Sequence, residues 1–264
     1  MAMRATWKGV IELGKQSLPV KLYSAVQDRA VHFHVLHDRD QTRVEQRLVN
    51  PKTDEALEKE EIQKGFQLAP GKFVILKQQE LKKLAPEASR SIELVSFLPD
   101  SALIPAWFER PYLLGPDGDA GEYLALARAL RSSERQAIVR WVMRGRGYSG
   151  ALRARDDEHL ILISLRSREE VLEIPELNVP KARAPSEKEL ALAEQLVAAL
   201  EGKFDPSQFH DEYRERLREY VAQKAAGKHP RLHKPRARKA SGDSLESILR
   251  ASMKRTHNQE RKSA

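Results

Sequence analysis

Apolar residues in the first 115 positions of this chain fall in runs too short for helices and spaced for strands. Val31, Phe33 and Val35 alternate with His32, His34 and Leu36, and a period of two sends successive side chains to opposite faces of an extended chain. Phe73–Leu76 and Ile92–Phe97 are brief apolar runs beside the turn formers Pro70-Gly71 and Pro99-Asp100. Segments of that length and punctuation predict strands of a barrel or sandwich. Residues 38–64 interrupt them with a charged stretch that includes Asn50-Pro51 and Glu58-Lys59-Glu60-Glu61 and has almost no core formers. That stretch predicts an excursion out of the domain.

Further along, the period changes. Tyr123, Leu126, Ala127 and Leu130 fall at i, i+3, i+4 and i+7, which predicts a short amphipathic helix bearing Arg128 and Arg131. Two strand patterns follow, 137–143 and 151–155, separated by a glycine-rich turn, and then an apolar strand over His159–Leu165. In the first of these the period of two puts Arg140 and Arg144 on one face, opposite Val139, Trp141 and Met143. After Pro185, Ser186 and Glu189 form a capping box ahead of Leu190, Ala193, Val197 and Leu200, and Gly202 closes that helix. A second helix is expected from Asp205 as cap and Pro206 at its first position, with Phe209, Tyr213, Leu217 and Tyr220 as its apolar stripe. Together they predict a helical hairpin. From about 224 the chain turns to Lys, Arg, Ala, Gly and Pro, a composition that buries too little apolar area to fold alone. Within it, Asp243–His257 carries a capping box and an apolar stripe, expected as a short docking helix.

With 264 residues and 41% hydrophobic content the chain suits one domain of about 200 residues plus appendages. It contains no cysteine, which excludes disulfides and thiolate metal sites and fits a reducing cytoplasm. The longest purely aliphatic stretch, around Leu160–Ile163, is far short of the roughly 20 residues a membrane helix needs, and the N-terminus lacks an apolar signal segment. A soluble, intracellular protein is expected, with no membrane partner.

Charge is divided into blocks. Residues 128–155 hold eight arginines, no lysine and one acid, Glu134, a net +7. Residues 224–264 hold twelve Lys or Arg and three acids, a net +9. The rest is therefore −8 within a chain total of +8. Arginine forks onto phosphate oxygens, and basic tails add a long-range, salt-screened attraction. Nucleic acid is the leading partner. The plainer alternatives are a solvated arginine face paired to the acidic remainder, and a solubilising tail.

No motif points to catalysis. Gly145-Arg146-Gly147-Tyr148-Ser149-Gly150 has the spacing of a dinucleotide fingerprint, but strand-like Ala151-Leu152-Arg153 follows where that motif needs a helix. It reads as a hairpin turn, and Ser149 is not a nucleophile elbow. His32, His34 and His37 lack a fourth ligand at metal spacing, so they are expected as core or barrel-surface residues. His210-Asp211-Glu212 lacks the second histidine of a metalloprotease motif. No catalytic residue, metal or cofactor is expected.

Several segments resemble the bacterial Ku proteins of DNA end joining. Met3-Arg4-Ala5-Thr6-Trp7-Lys8-Gly9, Pro19–Ala25, His32-Phe33-His34 with Leu36-His37, and Ile62–Phe66 look like that family's N-terminal half. Pro111–Leu114, Ile138–Arg144 and above all Phe204-Asp205-Pro206-Ser207-Gln208-Phe209-His210-Asp211-Glu212-Tyr213-Arg214 continue it in order. The resemblance covers roughly residues 3–224. Several relatives carry a Cys-x-x-Cys pair near Asn50–Asp54 and this chain does not, so a zinc site there is excluded.

The resemblance implies a mixed, mainly β fold: a Ku-type β-barrel core with an extended arm, then a C-terminal helical region and a basic tail. The expected domains are 1–185 for the core, with the arm at about 38–64, then 186–224 for the helical region. The tail, 225–264, is expected to be largely flexible apart from a short helix at 243–257. It further implies a ring-shaped homodimer that threads broken double-stranded DNA ends without reading sequence, because such a ring touches phosphate and sugar and leaves base edges alone. Candidate phosphate contacts are Arg39, Arg43, Arg47 and Lys64 on the arm and Lys8, Lys21, Arg140, Arg144 and Arg146 on the core. The tail adds Lys234, Arg236, Arg238 and Lys239. The partner implied is the ATP-dependent DNA ligase of bacterial end joining, contacted after about residue 205, and the setting is cytoplasmic and nucleoid-associated. The rivals are an architectural protein that coats duplex anywhere and, more distantly, a dinucleotide-dependent enzyme.

Overall fold

A computed structural model describes residues 3–173 and 183–228. The tail from 229, and with it the expected helix at 243–257 and Lys234, Arg236, Arg238 and Lys239, lies outside the described residues. The chain divides into two compact units, one ending at Pro175 and the other starting at Glu176.

In the first unit, seven strands close a barrel. They are β1 (Trp7–Leu13), β2 (Gln16–Ser24), β5 (Ser91–Pro99), β6 (Phe108–Pro116), β7 (Arg135–Met143), β8 (Arg146–Ala154) and β9 (Leu160–Leu165), in the order β1-β2-β6-β9-β8-β7-β5. All neighbours are antiparallel except β1 and β5, whose parallel pairing closes the circle. Alternating residues of the strands fill the interior: Ile11, Leu18, Val20, Leu22, Ile92, Leu114, Val139, Leu152, Leu160 and Leu162 are all buried. Their number is what a closed small barrel needs, since its interior is filled by side chains. The mainly β barrel expected from the sequence is present.

One end of the barrel is stoppered by a helix of thirteen residues, Ala120–Ser132, capped by Asp119, whose side chain accepts a hydrogen bond from the Gly121 amide. Tyr123, Ala127 and Leu130 are its buried face, three of the four residues whose spacing predicts it. The Tyr123 hydroxyl donates to the Leu114 carbonyl at 2.7 Å and accepts from the Leu160 amide at 2.8 Å. It bridges β6 and β9 where their ladder ends, and burial pushes its phenol pKa up.

Between β2 and β5 the chain leaves the barrel, and no residue from 26 to 90 is buried. This excursion is longer than the 38–64 the composition suggests. It contains β3 (Lys64–Ala69) and β4 (Lys72–Leu76), an antiparallel pair outside the barrel sheet, and α1 (Gln78–Leu84); the stopper helix Ala120–Ser132 is α2. The sequence expectation is corrected here twice. Phe73–Leu76 is a strand, but not of the barrel. Val31–Leu36 forms no strand apart from an isolated bridge between Leu36 and Arg43: only its end has a neighbour, where Val44 N–H donates to Val35 O at 3.0 Å, and among the described residues no segment pairs with Val31–His34. Phe33 is 69% exposed and Val35 67%.

The same excursion holds an internal repeat that the sequence reading missed. Leu36 bridges Arg43 and Val49 bridges Ala56. The bonds inside the two turns match as well: His37 N–H donates to Thr42 O and Gln41 N–H to His37 O, while Asn50 N–H donates to Glu55 O and Asp54 N–H to Asn50 O. Gln41 and Asp54 take the same left-handed backbone, φ 58° and 61°. In the first turn the Asp40 carboxylate lies 2.7 Å from His37 Nδ1 and accepts from the Thr42 amide and hydroxyl. The three histidines of this region are therefore neither core nor barrel residues: all are exposed. Among the described residues no group of three or more His, Cys, Asp or Glu is placed to hold a metal ion.

The hairpin of β7 and β8 turns on two residues, Arg144 and Gly145, both at positive φ (53° and 72°). That is the type I′ geometry whose twist matches the flanking strands. The glycine-rich turn is thus shorter than expected, and Arg146–Gly150 already belong to β8. Gly150 is needed within that strand, because a Cβ there would lie 2.5 Å from the Trp141 ring.

The second unit contains α3 (Glu187–Ala199) and α4 (Glu212–Ala225). Ser186 caps α3 through the predicted box with Glu189. The second helix starts later than expected. Asp205 accepts from the Ser207 amide and closes only the 3-10 turn Pro206–Gln208, Phe209 leaves the helical path, and Asp211 caps α4 anew. Phe209 instead packs its ring 5.0 Å from that of Phe204. Neither helix buries a residue, so the expected hairpin core is absent.

Candidate nucleic-acid interface

Eight of the nine cations singled out in the core and arm fall in three separate places, and the ninth, Arg144, stands on the turn between β7 and β8. Lys8 on β1 and Lys21 on β2 are direct cross-strand partners. Both point outward, since inward positions alternate with them. Like charges directly opposite on a sheet repel, and here a carboxylate stands between them: Lys8 Nζ lies 2.9 Å from Asp117 Oδ2 and Lys21 Nζ 2.6 Å from Oδ1. Asp117 follows β6 and is held by its own amide, which donates to Pro19 O at 3.0 Å. Hydrogen bonds from Lys21 and then Lys8 hold the Asp117 carboxyl below the usual range. The bond to Asp117 raises Lys21.

Arg140 and Arg146 share a second place, a groove of about 1300 Å³ at the end of the barrel opposite α2. Its walls come from the ends of β1, β7 and β9 and the starts of β5, β6 and β8. Arg140 projects from β7 between its cross-strand neighbours Glu93 and Ser149. The groove is not uniformly basic: Arg110, Arg140, Arg146 and Arg166 face Glu12, Glu93, Glu109 and Glu170. Several of these acids are engaged locally. Glu109 accepts from the Ser164 hydroxyl, and Glu170 from the Ser167 amide and hydroxyl. Those Ser167 bonds, with help from Arg166 and Arg146, lower the Glu170 carboxyl. Trp141 and Tyr148, stacked at 5.3 Å, form the apolar part of the wall. Arg144 does not share the face of Arg140 as the strand period suggests, because the type I′ turn takes it out of the strand.

The third group is on the excursion. Arg39 sits in the first of the repeated turns, Arg43 at its closing bridge, Arg47 between the two turns, and Lys64 at the start of β3; all are exposed. Lys64 lies on the hairpin face that also bears Phe66 and Val74, since Phe66 is opposite Val74 and Lys64 opposite Leu76.

The arginine-rich block 128–155 is therefore scattered. Arg128 and Arg131 belong to α2 at one end of the barrel, and Arg140, Arg144 and Arg146 to the other. Arg153 pairs with Asp100 at 3.4 Å and lies over the Phe108 ring. The residues that the sequence reading missed are Asp117, Arg110 and Arg166. Arg110 and Arg166 lie outside the dense block, and nothing local marks Asp117 as the counter-ion of residues more than ninety positions away. The glycine run 145–150 is followed by strand, as the hairpin reading requires. His210 lies 3.7 Å from Glu215 on α4. No helix among the described residues is long and apolar enough to cross a membrane.

Comparison with known proteins gives a consistent picture. A family model described as the Ku70/Ku80 beta-barrel domain matches residues 12–192. The chain is 36% identical over 253 residues to "Non-homologous end joining protein Ku" of Anaeromyxobacter sp. (strain K), covering 95% of this chain and 85% of that protein. It is 37% identical over 230 residues to the protein of the same name from Coxiella burnetii, covering 85% and 83%. Over 256 residues it is 34% identical to "Non-homologous end joining protein Ku 2" of Geotalea uraniireducens, covering 97% and 99%.

Proposed function

This chain belongs to the Ku β-barrel family, and from that premise we propose that it binds the ends of double-stranded DNA without reading sequence, in non-homologous end joining. It does so as a ring-shaped homodimer and presents the ends to an ATP-dependent DNA ligase. It acts by binding and not by catalysis, in the cytoplasm at the nucleoid.

The observation that carries this reading is the excursion between β2 and β5. A two-stranded hairpin alone is marginal in water, yet β3 and β4 expose Phe66, Leu68, Phe73 and Ile75, and Phe33 and Val35 are open as well. An apolar surface of that size on an extension without a core of its own is stabilised by being covered. A second copy offers the same surface about a two-fold axis. Two excursions joined in this way close a passage, and the arginines and lysines they carry then face a duplex together with those of the barrel. Duplex DNA is stiff over about 150 base pairs, so an end presents itself as a rod and threading needs no bending energy. Residues 1–185 then serve as the ring-forming core, 186–224 as a helical region, and the basic tail 225–264 as an added electrostatic contact. The segment after residue 205, where Phe209 and Tyr213 stand exposed, docks the ligase.

Competition between linear and covalently closed circular DNA of one sequence tests the proposal. A ring prefers the linear form strongly. Equal affinity for both would replace this reading with that of an architectural protein that coats duplex anywhere. Sedimentation of the free protein checks the homodimer.

A further inference from the structure

The Lys8–Asp117–Lys21 cluster is built in a way that the DNA-binding reading alone does not explain. A pair of lysines meant only to attract phosphate needs no acid between them, and the carboxylate halves their joint charge. Yet the Asp117 oxygens are divided one to each ammonium, at 2.9 and 2.6 Å. The backbone bond from Asp117 to Pro19, next to Val20 and Lys21 on β2, keeps the carboxylate at that spot. The cluster is also open: the side chains of Lys8, Lys21 and Asp117 are 57%, 31% and 24% exposed.

Resting on the reading of the protein as a DNA-end binder, we propose that Asp117 is an internal stand-in for a DNA phosphate, which the backbone of a threaded duplex displaces from Lys8 and Lys21. A carboxylate and a phosphodiester each present two oxygens on one central atom, so the ammonium pair that clasps one fits the other. Before DNA arrives, Asp117 keeps two like charges aligned as cross-strand neighbours. It also lowers the attraction of the free barrel for any passing phosphate. A duplex held in the passage by other interactions offers its phosphate at high local concentration and wins the exchange. A duplex touching the outside does not. Asp117 is thus a positioning residue that trades affinity for selectivity toward a threaded end.

The test is Asp117→Asn, which keeps the size and one acceptor oxygen but removes the charge. Binding of a short blunt duplex is followed by fluorescence anisotropy across a salt series, with exposed Glu87→Gln as the control for net charge. Asp117→Asn is expected to bind about threefold to tenfold tighter at low salt, the scale on which exposed ion pairs compete. Its log-log salt slope is expected to steepen by about 0.9 for each further phosphate that the freed lysines neutralise. Adding Lys8→Ala and Lys21→Ala abolishes the tighter binding. Selectivity for linear over closed circular DNA falls in Asp117→Asn. In the absence of DNA, inorganic phosphate raises the unfolding temperature of Asp117→Asn more than that of the unaltered protein, since a vacated site binds its ligand only in the folded state. This readout does not depend on DNA. Unchanged or weaker DNA binding by a folded Asp117→Asn, an equal tightening in Glu87→Gln, or a tightening that survives loss of both lysines overturns the proposal. If the unaltered protein binds no DNA, the reading beneath it fails instead.

Discussion

Replacing Arg140 and Arg146 together by glutamine isolates the groove at the open end of the barrel. Neither guanidinium forms an ion pair with a described residue, so both are available to phosphate. Arg140 projects from mid-β7 and Arg146 opens β8, so the change touches no core side chain and the fold should survive it. If each arginine neutralises one phosphate per protomer, the doubly substituted homodimer leaves four phosphates unpaired. At about 0.9 per phosphate, the slope of log affinity against log salt then flattens by up to about 3.6. Over a fourfold rise in salt, from about 50 to 200 mM, the unaltered protein would lose roughly a hundredfold more affinity than the variant. The assay is anisotropy of labelled blunt duplexes of two unrelated sequences across that range, with circular dichroism to establish folding. The loss at low salt should be equal for both sequences, because phosphate contacts carry no sequence information. A folded variant with an unchanged slope would remove this groove from the DNA path. Four glutamates share the groove with the arginines, so the companion Glu93→Gln is informative: removing the negative charge opposite Arg140 should tighten binding.

Three further outcomes follow from the fold. Tyr123→Phe keeps the ring but strips the hydroxyl that serves both Leu114 O and Leu160 N–H, leaving buried backbone groups unpartnered. A loss of about 2 kcal/mol is expected, seen in thermal unfolding as a fall of roughly 4–8 °C; a shift under about 1 °C would show that water or a backbone shift replaces the bridge. Gly150→Ala places a methyl 2.5 Å from the Trp141 ring and 2.9 Å from the Ile163 carbonyl, an overpacking that costs about 1–3 kcal/mol and should alter tryptophan fluorescence. On the acid side, Asp40, Asp117, Asp156 and Glu170 all have carboxyls held below their ordinary range by hydrogen bonds. A depressed folded-state pKa contributes stability above the unfolded value that is lost as pH falls through the folded one. The denaturation midpoint should therefore stay level from about pH 7 to 5 and drop below about pH 4, and a rise on acidification would contradict these assignments.

Much of the barrel was legible along the chain because its signals are local. The period of two over Ile138–Met143, the i, i+3, i+4, i+7 spacing from Tyr123 to Leu130, and the Ser186–Glu189 box each report on a single element, and each appears where expected. Errors arose where a local pattern depends on a distant partner. Val31, Phe33 and Val35 alternate as strand residues do, but the segment that comes alongside, Arg43-Val44, reaches only Val35 and Leu36. Asp205-Pro206 has the form of a helix start, yet the side chain of Asp205 is spent on a single turn, and Asp211 caps the real helix. The period that put Arg144 beside Arg140 stops one residue early, at a turn whose backbone is left-handed.

By itself the sequence determined that this is a cysteine-free, mainly β chain with a charged excursion and segregated basic residues, because composition and periodicity are properties of neighbouring positions. The order of strands round the barrel, the mixing of arginines with glutamates in one groove and the meeting of Asp117 with Lys8 and Lys21 were decided only in three dimensions. Each joins residues that are far apart along the chain, and the register of a closed sheet, not the spacing of letters, sets which charges become neighbours.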